Sequence, residues 1–168
     1  MRVYLPATTT MLQELVDTGA IGTDATPLTA FAVTPALREW YVDDDEEEEL
    51  EYAALSEAAR GSLRLVDADD TAARRRVVVA VDAPDAGVEI RDDLDRGVVQ
   101  LADPVVTAAV ASVHVDDDDA EPTVTAAAEA IIAADLGDAG SQERVDDAEG
   151  FELSWYANQE IPALLATL

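Results

Sequence analysis

The chain holds one histidine, His114, and no cysteine, which narrows the chemistry its side chains can do. Hydrolytic zinc sites take several protein ligands, whereas His114-x-Asp116 offers a pair of candidates. A serine or threonine triad needs a nucleophile on a recognisable elbow, and no Gly-x-Ser-x-Gly occurs. Without cysteine there is no thiolate nucleophile, disulfide or Cys-ligated metal. The sequence also lacks a phosphate-binding glycine loop, a dinucleotide fingerprint and a zinc-protease helix. His114 therefore reads first as an ordinary surface or hydrogen-bonding residue, then as a general acid or base, and last as a metal ligand. No catalytic set, metal or cofactor is expected.

Two aromatic segments stand out. In the first, Thr34 and Pro35 form a helix start, since proline has no N–H to leave unpaired and the threonine oxygen can accept from a free donor. Arg38, Glu39, Trp40 and Tyr41 follow. The free N–H groups of such a start favour an anion, with Arg38 as a charged fork. The plainer reading has Thr34 capping, Trp40 and Tyr41 packing, and Arg38 pairing with nearby acids. The second segment is Trp155-Tyr156, with Asn158, Gln159 and Glu160 close behind. Strand alternation sends Trp155 and Tyr156 to opposite faces, so one of them is free to line a cleft or meet a partner. The candidate ligand or partner surface thus comprises Thr34, Arg38, Glu39, Trp40, Tyr41, His114, Asp116, Trp155, Tyr156 and Gln159.

Charge excludes some partners. Ten basic residues, all arginine, face 37 acidic ones for a formal net charge of -27. Such a field repels nucleic-acid backbones and anionic lipid, and leaves a cationic protein partner electrostatically open. It also favours solubility at high ionic strength, where screening weakens self-repulsion. The run Arg74-Arg75-Arg76 leads into Val77-Val78-Val79 and reads as a strand entrance gripping acidic neighbours. The Asp67, Asp69 and Thr71 spacing lacks the glycine and closing glutamate of a calcium loop. With no secretory pattern and no apolar stretch of about 18 residues, the cytoplasm is the expected location; oligomeric state is open.

The elements that must position these residues follow from periodicity. Arg2 to Leu5 reads as a strand stopped by Pro6. Thr8 caps a helix with Met11, Leu12, Leu15 and Val16 on one stripe, ended by Gly19. Ala30 to Val33 is a second strand, reached by what the order permits to be a right-handed parallel crossover. The acidic block from Asp43 to Glu49 reads as the cap and first turn of the longest helix, with Asp45 and Glu48 at capping-box spacing and Leu50, Tyr52, Leu55, Ala59 and Leu63 on its stripe. Arg76 to Val81 reads as a central strand covered on both faces. Val88 to Ile90, Gly97 to Leu101 and Val110 to Val115 are further extended segments. Asp116 to Asp119 can cap a helix carrying Val124, Ala127, Ala128 and Ile131. A loop from Asp138 to Gly150, a final strand from Phe151 to Trp155 and a short helix near Asn158 complete the chain.

At 168 residues the chain suits one domain. The expected class is α+β, a mixed β-sheet with helices packed on it, built around a ferredoxin-like core with a helical insertion after the second strand. One continuous interior of small aliphatic side chains is expected to hold it together.

The stretches Met1 to Ala7, Ala30-Phe31-Ala32-Val33-Thr34-Pro35-Ala36-Leu37-Arg38-Glu39-Trp40-Tyr41, Glu48 to Ala54, Ala109 to Asp117 and Trp155-Tyr156-Ala157-Asn158-Gln159-Glu160 together resemble a family of actinobacterial proteins of unknown function. The resemblance spans nearly the whole chain and implies an actinobacterial source, with no catalytic roles to carry across. The expected function is a protein-interaction or regulatory module of the cytoplasm. A small-ligand binder or enzyme with a site near Arg38, His114 and Trp155 is the competing expectation.

Overall fold

Pro6 does not stop the first strand. The computed structural model, which describes residues 1–41 and 46–168, runs β1 (Arg2–Ala7) straight through it. The missing N–H is tolerated because β1 pairs along its length with β4 (Val77–Asp82) but meets β3 (Leu28–Phe31) at the single position Tyr4 opposite Phe31. Thr8 caps α1 (Thr9–Thr18), accepting from the Met11 N–H at 3.2 Å, and Gly19 ends it at φ 84°, as the sequence suggests. The pairing of β1 with β3 is antiparallel, so the parallel crossover expected between them is absent. A ferredoxin-like core, which needs that crossover, is not confirmed.

Among the described residues the main sheet has seven strands in the order β5 (Val88–Ile90), β6 (Val98–Leu101), β3, β1, β4, β8 (Val110–Val115) and β9 (Ser154–Ala157). Each neighbouring pair is antiparallel, in place of the mixture of directions expected. The α+β class itself stands. A two-stranded ribbon of β2 (Ala20–Ile21) and β7 (Val105–Val106) was not legible, because two residues carry no periodicity. β4 is the central valine strand, buried on both faces from Val77 to Val81.

The interior is divided rather than continuous. One cluster packs Val3, Leu5, Val77, Val79, Val113 and their neighbours against α1 and α6 (Ile161–Ala166). On the opposite face Tyr4, Phe31, Val78 and Ala80 meet α2 (Pro35–Trp40) and α3 (Glu47–Ala68). A third cluster lies between helices, joining Leu63 and Val66 of α3 to α4 (Glu121–Asp135) and α5 (Ala139–Glu149). The long helix α3 links the last two, and it can lie this close to the sheet because residue 61 is glycine. A Cβ there would stand 2.8 Å from the Pro6 Cγ.

α5 replaces the loop expected over 138–150. Gly137 at φ 97° ends α4, and Asp138 caps α5 by accepting from the Ser141 N–H at 2.9 Å. Its apolar stripe amounts to Val145 and Ala148, both buried, too narrow for periodicity to register. The extra helix delays the last strand, so β9 starts at Ser154 rather than Phe151. The aspartates after β8 do not cap α4 directly either: a short 3-10 turn over Asp118–Ala120 intervenes. Of the capping box proposed for α3, Asp45 lies outside the described residues. Glu47, Glu48 and Glu49 do fill the first turn of α3, where their charge meets the positive end of the helix dipole.

Candidate functional site

The first aromatic segment forms a braced corner. Thr34 is fully buried, accepts from the Leu37 N–H at 3.1 Å and donates to the Arg96 carbonyl. Pro35 follows at the start of α2. Arg38 forms an exposed ion pair with Glu47 at 2.7 Å, and Glu39 faces solvent. Trp40 is 60% exposed, yet the Arg96 guanidinium stands over its ring at 3.4 Å from the centroid, a cation–π contact. With Tyr41, Trp40 borders a shallow cleft of about 130 Å³ over Phe31 and Leu37. Capping and bracing thus account for most of the group.

The other members lie at the opposite end of the sheet. His114 stands directly across from Trp155 in the pairing of β8 with β9, so the two share a face. His114 is half-buried, and burial, then the positive charge of Arg2, pushes its imidazole below the ordinary value. Its Nε2 lies 3.5 Å from the Ser112 hydroxyl. Trp155 is 61% exposed. Tyr156, opposite Val113, turns to the other face and packs on the cluster beneath α1, which confirms the alternation expected of the pair. Gln159 is exposed beside a separate cleft of about 520 Å³ lined by Leu15, Val16 and Ile161.

Asp116 does not work with His114. It is 1% exposed and holds Arg76, accepting from Nε at 2.8 Å, from Nη2 at 2.7 Å and from the Arg76 backbone N–H at 2.8 Å. A buried charge needs a partner with good geometry, and the register that sets Val77 opposite Val115 brings 76 and 116 together just beyond the ladder. Arg75 reaches Asp118 and Glu121, whereas Arg74 donates to the carbonyls of Val66, Asp69 and Ala72. The arginine run therefore grips neighbours, partly through backbone oxygens rather than acids.

Arg38 and His114 are not neighbours. Arg38 lies on α2, just after β3, and pairs with Glu47, whereas His114 lies on β8, and β3 and β8 are three strand spacings or roughly 14 Å apart. Neither residue borders the cleft at Trp40, the cleft at Gln159 or the one along α3 and α5.

The largest of these three clefts lies elsewhere. It measures about 800 Å³ between α3, α5 and residues 151–153, with Tyr52, Arg60, Arg76, Glu149 and Phe151 among its walls. None of the ten candidate residues borders it. One signal was present: an arginine at the mouth of a buried valine strand must be paired inside. The helix that forms the far wall was read as loop, which hid the concavity.

No curated protein and no solved structure matches the chain. Residues 1–165 match the family of unknown function DUF6912, and with nearly its whole length covered the chain belongs to that family.

Proposed function

We propose that the chain is a cytoplasmic interaction or regulatory module that captures a basic, partly apolar segment of a protein partner at the free edge of β9. Trp155 carries this reading: a large aromatic 61% exposed on the last strand of the sheet. Aromatic anchors of this kind dominate binding energy at protein interfaces. Backbone groups add to it. The Ala157 N–H turns away from β8 to the Glu160 carboxylate at 3.2 Å, and the two-residue alternation of an antiparallel ladder places the Trp155 N–H on that same open side. An extended segment can pair there, as in strand addition. The net charge of -27 favours a basic segment and disfavours nucleic acid and anionic membranes. Among the described residues no helix is long and apolar enough to cross a membrane. An actinobacterial source belongs to the same reading and rests on the resemblance of residues 1–7, 30–41, 48–54, 109–117 and 155–160.

Affinity capture in the native host, followed by titration of the recovered partner's basic segment, tests this. Trp155→Ala should weaken binding by about tenfold or more, with Trp40→Ala unchanged. Equal recovery and equal affinity for wild type and Trp155→Ala would remove the proposal.

A further inference from the structure

We propose that the cleft between α3, α5 and residues 151–153 binds a small zwitterion with an apolar body, namely an α-amino acid with a large apolar side chain. Its size, about 800 Å³, falls within the range of small-molecule sites. Its polar groups are arranged in depth.

At the floor lies Arg76, whose side chain is 4% exposed. Asp116 occupies one edge of the guanidinium through Nε and Nη2, and Nη2 also donates to the Phe151 carbonyl at 2.9 Å. Nη1, on the edge opposite Asp116, has no hydrogen-bond partner among the described residues, and Arg76 is part of the cleft wall. Nη1 is not a buried unpartnered atom, so solvent reaches it, and a guanidinium fixed by Asp116 with Nη1 still open offers a preorganised single donor to a carboxylate. Arg60 adds charge from α3. Its Nη2 donates to Asp135 at 3.1 Å and Gln142 at 3.0 Å, but Asp135 also serves Arg64 at 2.7 Å. Asp135 thus serves two guanidinium groups, with the Glu57 carboxylate acting on both as well, and the Arg60 Nε and Nη1 make no hydrogen bond among the described residues.

The mouth has the opposite sign. Glu57, Glu149 and Glu152 border the cleft and are exposed. A lone carboxylate must pass these three charges, and a lone amine leaves the Arg76 donor unmet. A ligand with both groups satisfies floor and rim together. Between them Tyr52, Leu55, Phe151 and Leu153 supply apolar and aromatic walls, which set the demand for an apolar side chain. This site is independent of the β9 edge.

Calorimetric titration of the full chain with L-phenylalanine, 3-phenylpropionate and phenethylamine separates the contributions. L-Phenylalanine should bind saturably, and each single-charge analogue should bind about tenfold or more weakly by comparison. Arg60→Gln should weaken L-phenylalanine by about tenfold, while Trp155→Ala leaves it unchanged. Arg76 is unsuitable for substitution because its loss strands Asp116. If Arg60→Gln fails to fold, Ser56→Trp, at an exposed position of α3 on the cleft wall, should block binding instead. The proposal is overturned by the absence of saturable heat with L-phenylalanine. It is equally overturned if phenethylamine or 3-phenylpropionate binds as tightly, or if a folded Arg60→Gln or Ser56→Trp protein keeps wild-type affinity.

Discussion

Trp40 and Trp155 expose nearly the same fraction of their surface, 60% and 61%, yet they sit in different kinds of surroundings. Trp40 ends a helix capped by Thr34 and lies under the Arg96 guanidinium; its exposure is the outer side of a local brace. Trp155 stands on a strand with a free edge, across from His114, and no cation stacks on it among the described residues. Exposure alone does not separate a structural aromatic from a binding one. What separates them is whether the neighbouring groups are already engaged with the ring.

The two ends also differ in how their charges are held, and this gives the largest expected effect. Asp116→Ala leaves Arg76 buried without its carboxylate, a loss of about 3–5 kcal/mol in urea unfolding. Urea is the appropriate denaturant because guanidinium salts would screen the net charge. At the other end Arg38→Ala breaks an exposed ion pair and should cost about 1 kcal/mol or less. Similar losses at the two sites would break the distinction. Thr34→Ala comes next, at about 1–2 kcal/mol, since it removes a helix cap and leaves the Arg96 carbonyl without its hydroxyl donor. A smaller effect sharpens the comparison of the tryptophans themselves. Trp40→Ala should lose about 0.5–1 kcal/mol with the cation–π contact, and Arg96→Gln should lose a comparable amount, with little added in the double variant. Trp155→Ala breaks no cation–π contact and removes only the cross-strand neighbour of His114, so it should cost about 0.5 kcal/mol or less.

The elements that alternation or a helical stripe marks were legible from sequence: β1, α1, the valine strand β4, β8 and the body of α3. The opposite orientations of Trp155 and Tyr156 followed from the same alternation. Strand directions were not legible, because a helix between two strands fits a parallel crossover and an antiparallel return equally well until register is known. α5 was hidden by its composition, with Val145 and Ala148 as its buried residues among acids that read as loop. That omission concealed the cleft along α3 and α5. Asp116 was read beside His114 because they are close in sequence, whereas burial and ladder register commit its carboxylate to Arg76.

His114 supplies the smallest effect and a final contrast between the ends, since no histidine lies near Trp40. Burial first, and the charge of Arg2 second, hold the imidazole below its ordinary value of 6.5; Arg2 is itself paired with Asp82 at 2.7 Å. As pH falls through 6.5 the unfolded chain takes up a proton that the native chain resists. The neutral histidine therefore contributes stability that is full above that pH and lost as pH drops toward the lower native value. His114→Asn removes the titration and keeps a neutral polar side chain. Several carboxylates held below their usual range, Asp82 and Asp135 among them through Arg2 and Arg64, are common to both proteins and cancel in the difference. Urea unfolding of the pair from about pH 8 to about pH 5 should show wild type losing more stability than the variant. Parallel curves would mean that the imidazole beside Trp155 is as solvated as in the unfolded chain, and that this end of the sheet is more open than its half-buried geometry implies.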